Sequence, residues 1–245
     1  MSRTEQNSAD AEVQRLVESR DIEQIAGMFD AISPRYDRMN RVMTFGQDVR
    51  WRRHAADAAR LRSGDKALDV ATGTGDLARE LASRVSPGGE VVGVDIAESM
   101  LDIARRKAAG NSAIRFQTGD VHDLDFDADF NAATVAFGFR NFTDRQRGVD
   151  NMAKVVKRGG RVVVLEIIPT QSRLRVLTDF YETRGIPIIA RVLGADARAY
   201  QYLPRSVAAS ATKTEIEQCL RQSGLKDIAS RTFNLGTIAL VSGLK

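Results

Sequence analysis

The chain has 245 residues, a formal net charge of +4, 43% hydrophobic and 28% charged residues. That length suits one large domain with a proper core, or one core with a small appendage, and the composition excludes a disordered chain. The positive excess is scattered over many arginines, so it does not argue for nucleic acid; a mild attraction to anionic lipid headgroups fits it as well.

Residues 1 to about 20 are polar and are expected to fray. From 21 to about 60 the pattern is helical. Ile22, Ile25, Phe29 and Ile32 share a face, and Met39, Val42 and Met43 follow a break expected at Ser33-Pro34. This region precedes the first convincing strand, so residues 21–62 are expected to cap the main sheet and residues 63–245 to form the main domain. Beyond Lys66 short apolar strands alternate with helices. Strands are predicted at 67–71, 90–95, 114–118, 132–137 and 161–166, and helices at 76–86, 99–109 and 145–157, the last stopped by Gly159-Gly160. Such alternation predicts an α/β fold with a doubly wound, mostly parallel sheet. Residues 167 to about 211 interrupt the rhythm. A helix at 213–223 and two strands near 227–233 and 237–241, separated by Asn234-Leu235-Gly236, then read as a closing antiparallel hairpin.

Cys219, the single cysteine, lies in a helical pattern and fits a reducing compartment. With only His54 and His122 beside it, no dedicated Cys/His zinc site is expected, and neither histidine is given a role; both are expected to be solvated. The N-terminus is polar, without the look of a signal peptide, and no apolar run approaches the ~20 residues of a membrane helix. The chain is therefore expected to be soluble and cytoplasmic.

The strand at 67–71 runs into Gly73-Thr74-Gly75-Asp76 and then a helix. In an open α/β sheet, ligands sit beyond the carboxyl ends of the strands, where this loop lies. Its glycines let backbone approach a ligand closely. The spacing also fits a relaxed dinucleotide pattern. Asp76 at the helix entry favours a different ligand: it would repel a pyrophosphate seated on that helix N-terminus and suit a cation, such as the sulfonium and ammonium groups of S-adenosylmethionine. Asp95 ends the second strand, about twenty residues on, where a carboxylate can accept hydrogen bonds from ribose hydroxyls. Asp120 ends the third strand and is placed to hold an adenine amino group or to sit solvated in a turn.

Phe137-Gly138-Phe139-Arg140-Asn141 is a narrower signal. With Tyr36-Asp37, Met39-Asn40, Phe45-Gly46, Trp51-Arg52, Gly159-Gly160-Arg161, Leu165-Glu166 and Tyr200-Gln201-Tyr202-Leu203, it resembles the quinone C-methyltransferase family, from about Gln24 to the end of the chain. That family methylates demethylmenaquinone and the ubiquinone precursor 2-polyprenyl-6-methoxy-1,4-benzoquinol. The resemblance implies a class I, Rossmann-like methyltransferase fold and S-adenosylmethionine as cofactor. It implies cofactor contacts at Gly73, Thr74, Gly75, Asp95 with Ile96, and Asp120 with Val121. Ala136 stands where the family usually has serine, near the cofactor. Residues 170–195 and the stretch Val207-Ala208-Ala209-Ser210-Ala211 depart from the family pattern on the side expected to face the acceptor.

Carbon methylation of a quinol needs a hydroxyl that is losing its proton and a group that receives the ring proton. Arg140 is the natural group to stabilise a developing phenolate, because it stays charged and has several donors. Asn141 is placed to orient the quinol oxygen. Tyr36, Asp76 or a water is expected to complete the proton relay. The expected partner is a prenylated quinol. The mixture of arginines and large apolar residues over 174–193 is read as a lid, a tail groove or a contact with an anionic membrane. A homodimer is allowed and nucleic acid is not expected. Three other readings stay open: a methyltransferase for another phenolic or polyketide acceptor, a nucleotide-dependent oxidoreductase, and a non-catalytic module that binds S-adenosylmethionine or associates with RNA.

Overall fold

The computed structural model describes residues 13–127, 129–169 and 197–245, with side chains omitted for 197–201. Its seven strands run β1 (Lys66–Val70), β2 (Glu90–Asp95), β3 (Ile114–Thr118), β4 (Phe130–Ala136), β5 (Val156–Ile167), β6 (Lys226–Phe233) and β7 (Ile238–Leu244). They lie in the order β3-β2-β1-β4-β5-β7-β6. The first five pair in parallel, and β7 pairs antiparallel to both β5 and β6. The expected mostly parallel sheet with a closing hairpin is what forms. The order of the strands reverses between β1 and β4, so the loops leaving these two strands diverge and open a crevice.

The central strands are near-continuous runs of Val, Ala and Leu because helices cover both faces. On one face α3 (Gln47–Ala58) and α4 (Asp76–Val85) bury Trp51, Ala55, Leu77, Leu81 and Val85 against Ala67, Val91, Ala132 and Leu165. On the other, α6 (Arg145–Val155) and α8 (Lys213–Gln222) bury Val149, Met152, Ile216 and Leu220 against Leu68, Val92, Ala133 and Val164. Leu81 has no exposed surface. Truncating it to Ala would cost about 2–5 kcal/mol. Helix α5 (Glu98–Lys107) flanks β2 and β3, and α7 (Ala197–Ala208) lies near the crevice.

Three sequence expectations are corrected. Residues 13–19 form a helix, α1, rather than a frayed end, and Val13 and Val17 are buried against Tyr202. Pro34 does not break the chain: α2 runs from Ile22 to Met43 with the proline inside it. A proline here leaves the Asp30 carbonyl without its helical partner. Ser99 of α5 ties this turn of α2 to the body of the protein, its hydroxyl donating to Asp30 Oδ1 at 2.5 Å. Finally, Gly159-Gly160 is not a helix stop. Helix α6 ends at Val155, and the glycines lie inside β5. There they form an irregularity between the Phe130–Val156 and Ala132–Arg161 pairs. The bulge bonds to the chain end, Gly159 N–H donating to the Lys245 carbonyl at 2.8 Å.

Candidate active site

The ends of β1 and β4 touch, and both are strained. Ala71 and Phe137 adopt left-handed backbone, φ 49° and 62°. Residues other than glycine pay about 1–3 kcal/mol for such conformations, which gather at functional sites. Gly138 permits the approach, since a Cβ there would fall 2.5 Å from the Ala71 Cβ. The backbone at Gly73 is also left-handed, φ 56°, and a Cβ there would stand in open space, so this stretch of chain is bare toward the crevice. Gly75 differs. A Cβ there would fall 2.9 Å from Phe116 and 3.1 Å from Ala104, so a side chain at this position would crowd the start of α4.

Asp95 ties the loops together. Its Oδ2 accepts the Gly73 N–H at 2.7 Å and its Oδ1 accepts the Ala97 N–H at 2.9 Å. Burial pushes its carboxyl up, against the pull of those backbone donors. Asp120 caps the short turn 121–123 and pairs with the His122 ring at 2.8 Å. Burial opposes ionisation of Asp120, but the His122 side chain and backbone N–H outweigh it and hold the carboxyl below its ordinary range. Asp120 in turn raises His122. Gly73, Asp95, Ile96, Asp120, Val121, Ala136 and Asn141 line one cleft, which α2 covers with Ile22, Ile25, Phe29 and Tyr36.

A charged network fastens α2 to the glycine loop. Lys107, the last residue of α5, donates to Asp37 at 2.8 Å, to the Thr74 hydroxyl at 3.1 Å, and to Asp76. Thr74 donates to Asp37 at 2.6 Å. Arg41 bridges Asp76, at 2.9 Å, and Asp48. Burial disfavours the charge on Asp76, yet Lys107 and the nearby arginines hold its carboxyl low. Asp76 therefore meets protein cations rather than standing free for a ligand cation.

Beyond the cleft lies an apolar cavity of about 350 Å³, walled by Met28, Phe29, Met43, Trp51, Phe137, Ile167, Leu203, Val207 and Ile238. Tyr36, Phe29 and Phe137 line both spaces. Arg140 reaches the cavity as a buried cation. Its Nη1 donates to Glu166 at 3.0 Å and to the Phe137 carbonyl, and its Nε to Ser206 at 3.3 Å. Asn141 is held by the Tyr202 hydroxyl, which donates to Oδ1 at 2.9 Å. In β1, Asp69 is sealed in, accepting from Thr72 and Thr134 at 2.7 Å each, and burial pushes its carboxyl up to about 6.

The sequence-predicted residues thus sort by place. Gly73, Asp95, Ile96, Asp120, Val121 and Ala136 share the cleft, with Asn141 on its edge. Tyr36 stands between cleft and cavity, and Arg140 faces the cavity. Thr74 and Asp76 belong to the charged network beside them. The histidines are not solvated as expected: His54 stacks on Phe233 at 5.1 Å with Nε2 buried and unpaired, and His122 is held by Asp120. Sequence reasoning missed Asp69, Lys107, Asp48, Arg52 and Glu166 as site residues. Asp69 left a signal, an acid in an apolar strand bound for a sheet buried on both faces. The basic-apolar stretch 174–193 lies outside the described residues.

Comparison with known proteins narrows the reading. The model of the ubiE/COQ5 methyltransferase family matches residues 16–245. The chain is 39% identical over 228 residues to the ubiquinone/menaquinone biosynthesis C-methyltransferase UbiE of Geobacter sulfurreducens, covering 91% of this chain and 89% of that protein. It is 45% identical over 202 residues to the demethylmenaquinone methyltransferase of Deinococcus radiodurans, covering 81% and 83%. Among solved structures, a SAM-dependent methyltransferase from Thermotoga maritima shares the fold, with TM-score 0.62 at 16% identity over 89% of this chain and 98% of that one. This chain belongs to the ubiE/COQ5 methyltransferase family.

Proposed function

We propose that the protein transfers a methyl group from S-adenosylmethionine to a ring carbon of a prenylated 1,4-quinol, either demethylmenaquinol or the ubiquinone-precursor benzoquinol. The observation that carries this reading is the pairing of two spaces. An apolar cavity with a buried cation, Arg140, shares Tyr36 and Phe137 with a cleft floored by a glycine loop and two strand-end carboxylates. A prenylated ring suits the apolar walls, and the named relatives act in quinone biosynthesis.

The cleft residues fit the cofactor. Gly73 offers bare backbone, Asp95 and Asp120 offer carboxylates for ribose and adenine donors, and Ile96 and Val121 offer apolar surface. When bound, S-adenosylmethionine supplies an electrophilic methyl carbon and leaves as the thioether. Arg140 stabilises the acceptor oxygen as its proton departs, a donor that serves the transition state more than the ground state. Glu166 holds that guanidinium in place. Asn141, fixed by Tyr202, orients the ring at the edge of the cleft. Tyr36, between the spaces, takes part in the proton relay. Asp76, already paired with Lys107 and Arg41, acts by fixing the loop.

The same reading includes contact with an anionic membrane, from which a long-tailed quinol would be drawn. Phe45, at the cavity mouth, is 80% exposed, and Leu235, next to the lining residue Asn234, is 66% exposed. No helix among the described residues is long and apolar enough to cross a membrane. The test of the reaction is transfer of labelled methyl from S-adenosylmethionine to a reduced demethylquinol by the purified protein. Binding of the cofactor with no transfer to any quinol would reject the acceptor.

A further inference from the structure

We propose that Arg52 is a second acceptor-binding residue, and that with Arg140 it reads the two para oxygens of a 1,4-quinol; this rests on the acceptor reading above. Arg52 is a charged side chain buried to 7% exposure in α3, and it lines both the apolar cavity and the space beside the glycine loop. Such a cation needs partners. Among the described residues its one hydrogen bond runs from Nη1 to Asp48 Oδ2 at 2.6 Å, so Nε and Nη2 donate to none of them. Asp48 does not serve Arg52 alone, since it also accepts from Arg41 and from the Thr44 hydroxyl at 3.0 Å. One carboxylate is thus divided between two guanidiniums.

Position gives the pairing with Arg140. The Arg52 guanidinium lies over the Phe137 ring, 5.0 Å from its centroid, while Arg140 donates to the Phe137 carbonyl. The two cations therefore bracket one residue, and both face the same apolar space. Arg140 has Nε on Ser206 and Nη1 on Glu166 and Phe137, and like Arg52 it keeps Nη2 without a partner among the described residues. A ring with a single oxygen could satisfy one of these donors; a ring oxygenated at both para positions satisfies both. Leaving a buried donor unmatched is what lets a polar site reject an analogue that lacks one hydroxyl.

The test compares two acceptors, a short-tailed prenyl naphthoquinol and the monohydroxy analogue that keeps only the hydroxyl beside the carbon being methylated. Wild type, Arg52→Met and Arg52→Lys are assayed for kcat/KM on each. In both variants Asp48 retains Arg41 and Thr44, Asp76 retains Lys107 and Arg41, and Asp69 retains its two threonine donors, so each nearby carboxylate keeps partners. Arg52→Met is expected to lower kcat/KM for the quinol about 10- to 100-fold, the range of a charged hydrogen bond, and for the monohydroxy analogue by less than about threefold. Arg52→Lys is expected to fall between, because an ammonium lacks the planar fork. Equal losses on both acceptors would overturn the assignment. Should Arg52→Met fail to fold, Arg52→Lys decides by the same ratio, and an unchanged ratio overturns it. If wild type methylates neither compound, the acceptor reading itself falls, which the variants' matching inactivity would not be mistaken for.

Discussion

Arg140 and Glu166 form a buried ion pair at 3.0 Å, and the carboxylate also accepts the Arg140 backbone N–H at 2.9 Å. Burial works against the guanidinium charge, and Glu166 overrides it, so Arg140 stays protonated beside an apolar cavity. A cation held this way is a preorganised donor for an oxyanion.

The pair dictates how Arg140 must be tested. Arg140→Ala alone strands the Glu166 carboxylate and is expected to cost about 3–5 kcal/mol of stability. The double variant Arg140→Met, Glu166→Gln should recover most of that loss in denaturant unfolding. Its methyl transfer should remain down by roughly two to three orders of magnitude, with cofactor affinity close to wild type. Normal turnover by the double variant would make the pair structural.

Lys107 joins Asp37, Thr74 and Asp76, so it fastens α2 to the glycine loop. Lys107→Met leaves two half-buried carboxylates without their shared cation. Cofactor binding is expected to weaken by about 1–3 kcal/mol, and amide exchange in α2 to quicken. Unchanged exchange between Ile22 and Met43 would show that the network does not hold the helix.

Asp69 gives a pH signature. Burial raises its carboxyl from 3.8 to about 6, so the folded chain holds this proton more firmly than the unfolded chain. The contribution favours folding below about pH 4 and is lost as pH rises to about 6, a difference of about 3 kcal/mol. Asp69→Asn should therefore stabilise the protein at pH 7 relative to wild type and not at pH 4. Equal effects at both values would mean that Asp69 ionises normally in the fold.

Much of the cleft was legible because its signals are local. The glycine loop, Asp95 and Asp120 all sit at strand ends that alternation and turn residues reveal. The charged network was not legible. Lys107 and Asp37 are seventy residues apart in sequence, and nothing local announces their contact. Pro34 misled because α2 is held in place by contacts distant in sequence, among them Ser99 on Asp30, sixty-nine residues away. Gly159-Gly160 misled because a glycine pair signals a helix stop and a strand bulge equally well. Asp76 was read correctly as an acid at a helix entry, but its two protein cations come from α5 and α2.

The exposed tips at Phe45 and Leu235 predict where a lipid surface would be met. Phe45→Ser with Leu235→Ser should reduce co-sedimentation with anionic vesicles several-fold, and Leu235→Ser alone, outside the cavity lining, should leave transfer to a water-soluble short-tailed quinol unchanged. Undiminished binding by the double variant would move the contact elsewhere, the stretch 174–193 being the next to test.

On this reading, two adjoining spaces bring a methyl donor to a quinol ring. The direct measurement is a single-turnover reaction of the purified protein with methyl-labelled S-adenosylmethionine and a reduced demethylquinol, the product analysed for the position of the label. Label on the ring carbon, slowed by roughly two to three orders of magnitude in Arg140→Met, Glu166→Gln and weakened in Asp95→Ala through lost cofactor affinity, is the predicted result. Label on a quinol oxygen, or no transfer to any quinol by an enzyme that binds the cofactor, would contradict it.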